Sequence, residues 1–168
     1  MSNGSVRNPK VFVSYAHEPV MAGHRDRALD LAQSLRLKGV EANIDQFVEH
    51  DPPTWPRWMI DDVRGADFVL CLASPLYKER AEGRGDPTQG RGARWEGAVI
   101  TDELYSRANQ AKFIAVVLDG CSPEDIPDIL MPVGRTYYHW PEDEEMLYRR
   151  ITGQPRVSPV PLGKIVRL

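Results

Sequence analysis

Apolar positions in this chain fall into short runs separated by stretches of helical periodicity. Val11-Phe12-Val13-Ser14-Tyr15 is β-branched and aromatic and predicts a first strand. From about Met21 to Lys38, Ala28, Leu31, Ala32 and Leu35 recur at helical spacing, and Gly39 follows as a stop. Val40 to Ile44 alternates apolar and polar residues and predicts a second strand. Pro52-Pro53-Thr54 breaks the chain, and Thr54 is the expected N-cap of a helix from Trp55 to about Arg64, with Pro56 in its first turn. Asp67 to Ala73 is almost continuously apolar, as a strand buried on both faces should be. Glu82 to Gly92 is rich in glycine and charge and predicts a mobile surface loop. A helix is expected from Trp95 to about Asn109, a central strand at Phe113 to Leu118, an edge strand at Thr136 to His139 and a closing helix from Glu142 to Ile151.

Strand and helix alternate along nearly the whole length. That order predicts an α/β domain: a parallel sheet with helices on both faces, joined by right-handed crossovers. The domain is expected over residues 9–152, with a disordered tail at 1–8 and a linker or tail at 153–168, where three prolines and Gly163 collect. In such sheets ligands sit beyond the carboxyl ends of the strands. Those ends are Ser14-Tyr15, Asp45-Gln46, Ala73-Ser74 and Asp119-Gly120.

Composition narrows the picture. The formal charge is −3, with 21 basic against 24 acidic side chains, so the basic excess of a nucleic-acid binder is missing. The two cysteines, Cys71 and Cys121, lack metal-type spacing and suggest a reduced, cytoplasmic protein. The four histidines form no pair at metal-binding spacing, and no metal site is expected. No apolar run approaches the roughly 20 residues of a membrane span, so no membrane partner is expected. A phosphorelay receiver would need an aspartate after the third strand, where Ser74-Pro75 stands. A dinucleotide-binding fold would need its glycine fingerprint after the first strand, and none is there. Cys71 lies mid-strand, and Cys121 has no histidine at fixed spacing, so neither reads as a nucleophile.

The segment Gly92 to Ile100 is the most informative. At about 100° per residue, Glu96, Ile100 and Glu103 share one narrow helical face. A carboxylate in an apolar stripe is paired or used, unless it merely complements the helix dipole in the first turn.

These residues resemble one family. Val11-Phe12-Val13-Ser14-Tyr15 is similar to the opening strand of TIR-like domains. Asp45-Gln46-Phe47, followed by Pro52-Pro53-Thr54-Trp55-Pro56-Arg57-Trp58-Met59, resembles the signature loop and helix of the SEFIR branch. Asp67 to Ser74 with Pro75-Leu76-Tyr77, then Arg94-Trp95-Glu96-Gly97 and Glu103-Leu104-Tyr105, continue the match in order, over about residues 9 to 152. The resemblance implies a flavodoxin-like fold with a central five-stranded parallel sheet. It implies two functions. One is a self-associating, NAD-cleaving effector in defence against phage, with NAD as substrate and no cofactor. The other is a non-catalytic module for homotypic protein interaction in signalling. For the enzyme, Glu96 takes the catalytic position, although it directly follows Trp95 where many relatives place the acid four residues after a tryptophan; Glu103 is the alternative. Ser14, Tyr15, Asp45, Phe47, Trp55, Arg94 and Trp95 are then expected near the substrate, with Tyr15 able to stack a base. Phe47, Trp55 and Trp58 are the expected interface residues, on a proline-stiffened aromatic segment.

Overall fold

The computed structural model describes residues 6–19, 21–83, 110–131 and 136–168. Among them, β1 (Lys10–Ser14), α1 (His24–Leu37), β2 (Glu41–Asn43), α2 (Trp55–Gly65), β3 (Phe68–Leu72), α3 (Pro75–Ala81), β4 (Phe113–Leu118), β5 (Tyr138–Trp140) and α4 (Glu144–Thr152) follow in chain order. The strands form one five-stranded sheet in the order β2-β1-β3-β4-β5. Every pair is parallel, with Phe12 opposite Val69 and Leu70 opposite Ile114. This is the expected flavodoxin-like arrangement. The order reverses between β1 and β3, and that boundary is the topological switch point.

Two cores sandwich the sheet. On one face Val11, Val13, Leu70, Leu72, Ile114 and Val116 pack with Ala28, Leu31, Ala32 and Leu35 of α1 and with Leu147 and Ile151 of α4. On the other, Phe12, Val69, Cys71, Phe113, Ala115 and Val117 meet Met59 and Val63 of α2, Tyr77 of α3, and Ile126 and Leu130. All six residues of β4 are buried, which explains its unbroken apolar sequence.

Local structure departs from the expected elements where tertiary contacts intervene. The first helix starts at His24, three residues later than its periodicity suggests, because Gly23 takes a left-handed φ of 79° in front of it. Thr54 holds the N-cap position of α2 in an extended conformation, but its side chain makes no capping hydrogen bond. The last strand starts two residues later and ends one residue later than expected, at Tyr138–Trp140. Helix α3 was not expected. Its N-cap Ser74 accepts a hydrogen bond from the Tyr77 N–H at 3.1 Å, and Pro75 begins the first turn.

Both edges of the sheet are closed by the chain itself. On β2, the outward N–H of Ala42 donates to Val40 O at 2.9 Å, and its carbonyl accepts from Arg36 Nη1 at 2.9 Å. On β5, His139 N–H donates to Asp143 Oδ2 at 2.8 Å and its carbonyl accepts the Asp143 N–H at 2.7 Å. An edge with occupied donors and acceptors cannot template a further strand. Beyond α4 the chain runs on without regular structure, leaving Leu162, Ile165 and Leu168 exposed.

The packing sets a clear contrast in stability. Leu70 is fully buried at the centre of the sheet, whereas Leu162 is 102% exposed. Leu70→Ala should lower the unfolding free energy by about 2–5 kcal/mol in a urea titration, and Leu162→Ala should leave the midpoint unchanged.

Candidate functional site at the carboxyl rim of the sheet

β1 ends at Ser14, and the next residues turn over the rim. Tyr15 continues the alternation into the α1 core and is only 2% exposed. Its hydroxyl donates to Asp45 Oδ1 at 2.9 Å and accepts from Gln46 Nε2 at 3.0 Å. Gln46 Nε2 also donates to the Arg25 carbonyl at 3.0 Å. Asp45 and Gln46 belong to a single 3-10 turn, Asp45–Phe47, that immediately follows β2. One phenol therefore ties the tips of β1 and β2 to the first turn of α1. Burial, and then the Asp45 carboxylate, raise the Tyr15 pKa far above its ordinary value.

The second oxygen of Asp45 lies 2.8 Å from His17 Nε2. The His17 ring is stacked on Tyr15, with centroids 5.1 Å apart and planes 29° apart. Phe47 is half-buried against the α1 core, and the Arg36 guanidinium sits 5.6 Å over its ring.

On the other side of β1, the rim is joined to α3. The Ser14 hydroxyl is 3.0 Å from the Tyr77 hydroxyl, with both side chains buried. The Glu18 carboxylate accepts the Leu76 N–H at 2.6 Å. It thus fills the first turn of α3 with the chain's own negative charge, and that turn cannot at the same time cradle a phosphate.

A cysteine and a histidine meet at the far end of the rim. Cys121 Sγ lies 3.7 Å from His24 Nδ1, and the Nε2 of His24 is buried with no hydrogen-bond partner. Burial lowers the pKa of His24. Burial, with the charges of Asp125 and Glu18, pushes the Cys121 thiol up to about 11. Both shifts favour the neutral forms, so the pair does not form a thiolate–imidazolium couple.

Of the residues expected near a substrate, the fold brings Tyr15 and Asp45 into one network and places Ser14 and Phe47 on either side of it. Ser14 and Tyr15 are enclosed rather than open to solvent. Trp55 and Trp58 lie apart, on α2. Trp58 packs edge-on against Phe12 at 5.7 Å, on the opposite face of the sheet, and Trp55 stands edge-on to Trp58 at 5.6 Å, partly exposed. Arg94, Trp95, Glu96, Ile100 and Glu103, with the helix expected to carry them and the glycine-rich loop beyond Gly83, lie outside the described residues. Sequence reasoning passed over His17 and Glu18, although their place directly after a strand tip marks them as rim residues. Tyr77 and the His24–Cys121 contact join distant parts of the chain and left no local signal. Among the described residues no group of three or more acidic, histidine or cysteine side chains could hold a metal. Among them, too, no helix is long and apolar enough to cross a membrane.

The SEFIR domain family model matches residues 9–151. The chain belongs to the SEFIR family. A crystal structure of a prokaryotic SEFIR domain is similar to this SEFIR domain with a TM-score of 0.64 and 30% identity, covering 93% of this chain and 100% of that one. The IL-17 receptor B SEFIR domain is similar with a TM-score of 0.59 and 14% identity, covering 89% of this chain and 98% of that one. The latter likeness is one of fold. No curated protein matches the chain.

The protonated state of Cys121 has a measurable consequence. With its pKa near 11, about one thiol in a thousand is ionised at pH 8. Alkylation of Cys121 by iodoacetamide at that pH should run about a hundredfold slower than for a small free thiol, and should speed up on unfolding in urea. Rapid modification of the folded domain would restore Cys121 as a candidate nucleophile.

Proposed function

We propose that this SEFIR domain is a self-associating module that cleaves the nicotinamide–ribose bond of NAD once assembled, as an effector in defence against phage. The single observation that carries the reading is the pair of hydrogen-bonded carboxylates at the rim beside the switch point. Asp45 and Glu18 are each held there by hydrogen bonds from other elements, and Asp45 is partly buried. Fixed negative groups that need not reorganise favour a cationic pyridinium over a neutral or anionic ring. Among the described residues, the one cysteine at the rim, Cys121, has its thiol pKa pushed up by burial.

The chemistry asks little of the protein. The bond between the pyridinium nitrogen and ribose C1′ breaks with its electron pair going to the nitrogen. Nicotinamide therefore leaves neutral and needs no proton from an acid. Positive charge moves onto the ribose, where one carboxylate stabilises it. Water then attacks C1′ and releases its proton, giving ADP-ribose; attack by a group of the substrate itself would give a cyclic product. In this reading Glu96 is that carboxylate, with Arg94 and Trp95 beside it, and Glu103 is the alternative acid. A second carboxylate of the kind ordinary glycosidases use is not required.

Assembly runs through side chains in this reading, because both edge strands have their outward backbone groups occupied. The segment from Asp45 to Pro56 supplies a suitable surface. Phe47 and Trp55 are only partly covered, and Pro52, Pro53 and Pro56 stiffen the backbone between and around them.

Two experiments test the proposal. Purified protein at high concentration, or with a crowding agent, should release nicotinamide from NAD, and Glu96→Ala should reduce the rate by about a hundredfold or more. Equal release from the variant sinks the assignment, and none from wild type in any assembled state sinks the enzyme. Separately, Trp55→Ala or Phe47→Ala should weaken self-association about tenfold or more in light-scattering measurements, with circular dichroism unchanged. Unaltered association excludes that surface.

A further inference from the structure

At the amino end of the sheet, away from the rim, a hollow of about 690 Å³ opens between the chain leading into β1, the start of β3 and the end of α4. Its walls include Pro9, Phe68, Tyr148 and Ile151, with Val6 at its mouth. The polar groups around it are spent on one another. The Tyr148 hydroxyl donates to Lys38 O at 2.9 Å and Asn8 Nδ2 to Gly39 O at 2.8 Å. Arg7 pairs with Asp67 at 2.8 Å, and Thr152 Oγ1 donates to Tyr148 O at 2.8 Å. A hollow edged by satisfied polar groups selects aliphatic side chains over polar ligands.

The chain supplies such side chains next to it. From Gly153 to Leu168 every residue is exposed. Six of the nine large apolar side chains that are exposed among the described residues lie there: Val157, Val160, Leu162, Ile165, Val166 and Leu168. So dense an apolar segment left in water marks an interaction surface. Its charged side chains are Arg156, Lys164 and Arg167, so the formal −3 of the chain divides into +3 on the tail and −6 on the rest. The tail is thus complementary in charge to another copy of the domain as well as to the apolar hollow.

We infer that two copies of this chain exchange tails, each seating Leu162 and Ile165 of one copy in the amino-end hollow of the other. Gln154, at the root of the tail, itself lines the hollow. Arm and seat therefore adjoin, and a twofold pair makes the contact reciprocally and closes as a dimer. The fourteen residues Pro155–Leu168 span up to about 45 Å when extended, enough to cross to a neighbouring domain. Return to the chain's own hollow is opposed by Pro159 and Pro161, which fix their own φ and hold Ser158 and Val160 extended. Ordering a free tail costs entropy, so the exchange is populated at high protein concentration rather than in dilute solution. It adds a contact remote from Phe47 and Trp55, and it does not rest on NAD cleavage.

Disulfide trapping tests the exchange. A Leu162→Cys chain mixed with a Val6→Cys chain at high concentration and oxidised should yield a bond between the two, identified by peptide mass. Both sites are exposed, at 102% and 91%, so neither variant threatens the fold. The yield should exceed about fivefold that of Leu162→Cys mixed with Arg57→Cys, whose site is exposed on α2. Equal yields overturn the inference. With both substitutions in one chain, an intrachain bond that outcompetes the link between copies seats the tail in its own hollow and also overturns it. A second measurement uses sedimentation in a Trp55→Ala background, which removes the other proposed contact. There Leu162→Asp with Ile165→Asp should weaken association about tenfold or more, and unchanged association overturns the exchange. Binding to phosphatidylserine vesicles that this variant loses, by a chain that stays monomeric, gives the tail to a membrane and overturns it too. Nicotinamide release by a chain that forms no such bond would defeat the exchange alone. The bond without any release would defeat the cleavage reading alone.

Discussion

β3 and β4 have no polar face. All six positions of β4 are buried, as are Val69, Leu70, Cys71 and Leu72 of β3, so the centre of the sheet must be covered from both sides. That requirement places α1 and α4 over one face and α2 and α3 over the other. With both faces and both edges occupied, the strand ends are what remains of the sheet for chemistry. The carboxyl end is where the order reverses between β1 and β3, and where the side chains of four elements converge.

At that end the polar groups are satisfied in pairs drawn from distant parts of the chain. Tyr15 meets Asp45, Ser14 meets Tyr77, Glu18 meets the Leu76 amide, and His24 faces Cys121. Buried donors and acceptors without partners are expensive, so these pairings fix the geometry of the rim as firmly as the apolar cores fix the sheet. His24 Nε2, buried and unpaired, is an exception, and its lowered pKa is the electrostatic counterpart of that isolation. Among the described residues the rim that results carries the carboxylates of Asp45 and Glu18, each held by hydrogen bonds. Glu18 already occupies the amide at the start of α3, so that turn is closed to an added anion.

Closed edges matter for assembly as well. Arg36 and Val40 satisfy Ala42 on β2, and Asp143 satisfies His139 on β5. These contacts keep a long parallel sheet from growing by edge-to-edge pairing. They direct association between copies to side chains such as Phe47 and Trp55, whose neighbours include three prolines and are therefore conformationally restricted.

Much of the architecture was legible in the sequence. The runs at Val11–Tyr15, Asp67–Ala73 and Phe113–Leu118, and the helical spacing of Ala28, Leu31, Ala32 and Leu35, predict the central strands and α1, because burial on two faces or on one stripe leaves a periodic signature. Strand alternation then implied a parallel sheet and pointed to its carboxyl ends. Boundaries were less legible: Gly23 delays α1 through its backbone conformation, and α3 is too short to show a period, although Ser74-Pro75 announces its start. The residues Ser14, Tyr15 and Asp45 could be marked as rim residues from their place after strands, but their partners could not. Tyr15 stands 30 residues from Asp45, Ser14 63 from Tyr77, and His24 97 from Cys121. Sequence by itself determined the central strands and α1, and hence which end of the sheet a ligand would approach, because periodicity is a local property. Only the tertiary structure decided that Tyr15 is enclosed and His17 exposed, and that burial pushes the Cys121 thiol pKa upward. Exposure and protonation are set by groups that folding brings together across the chain.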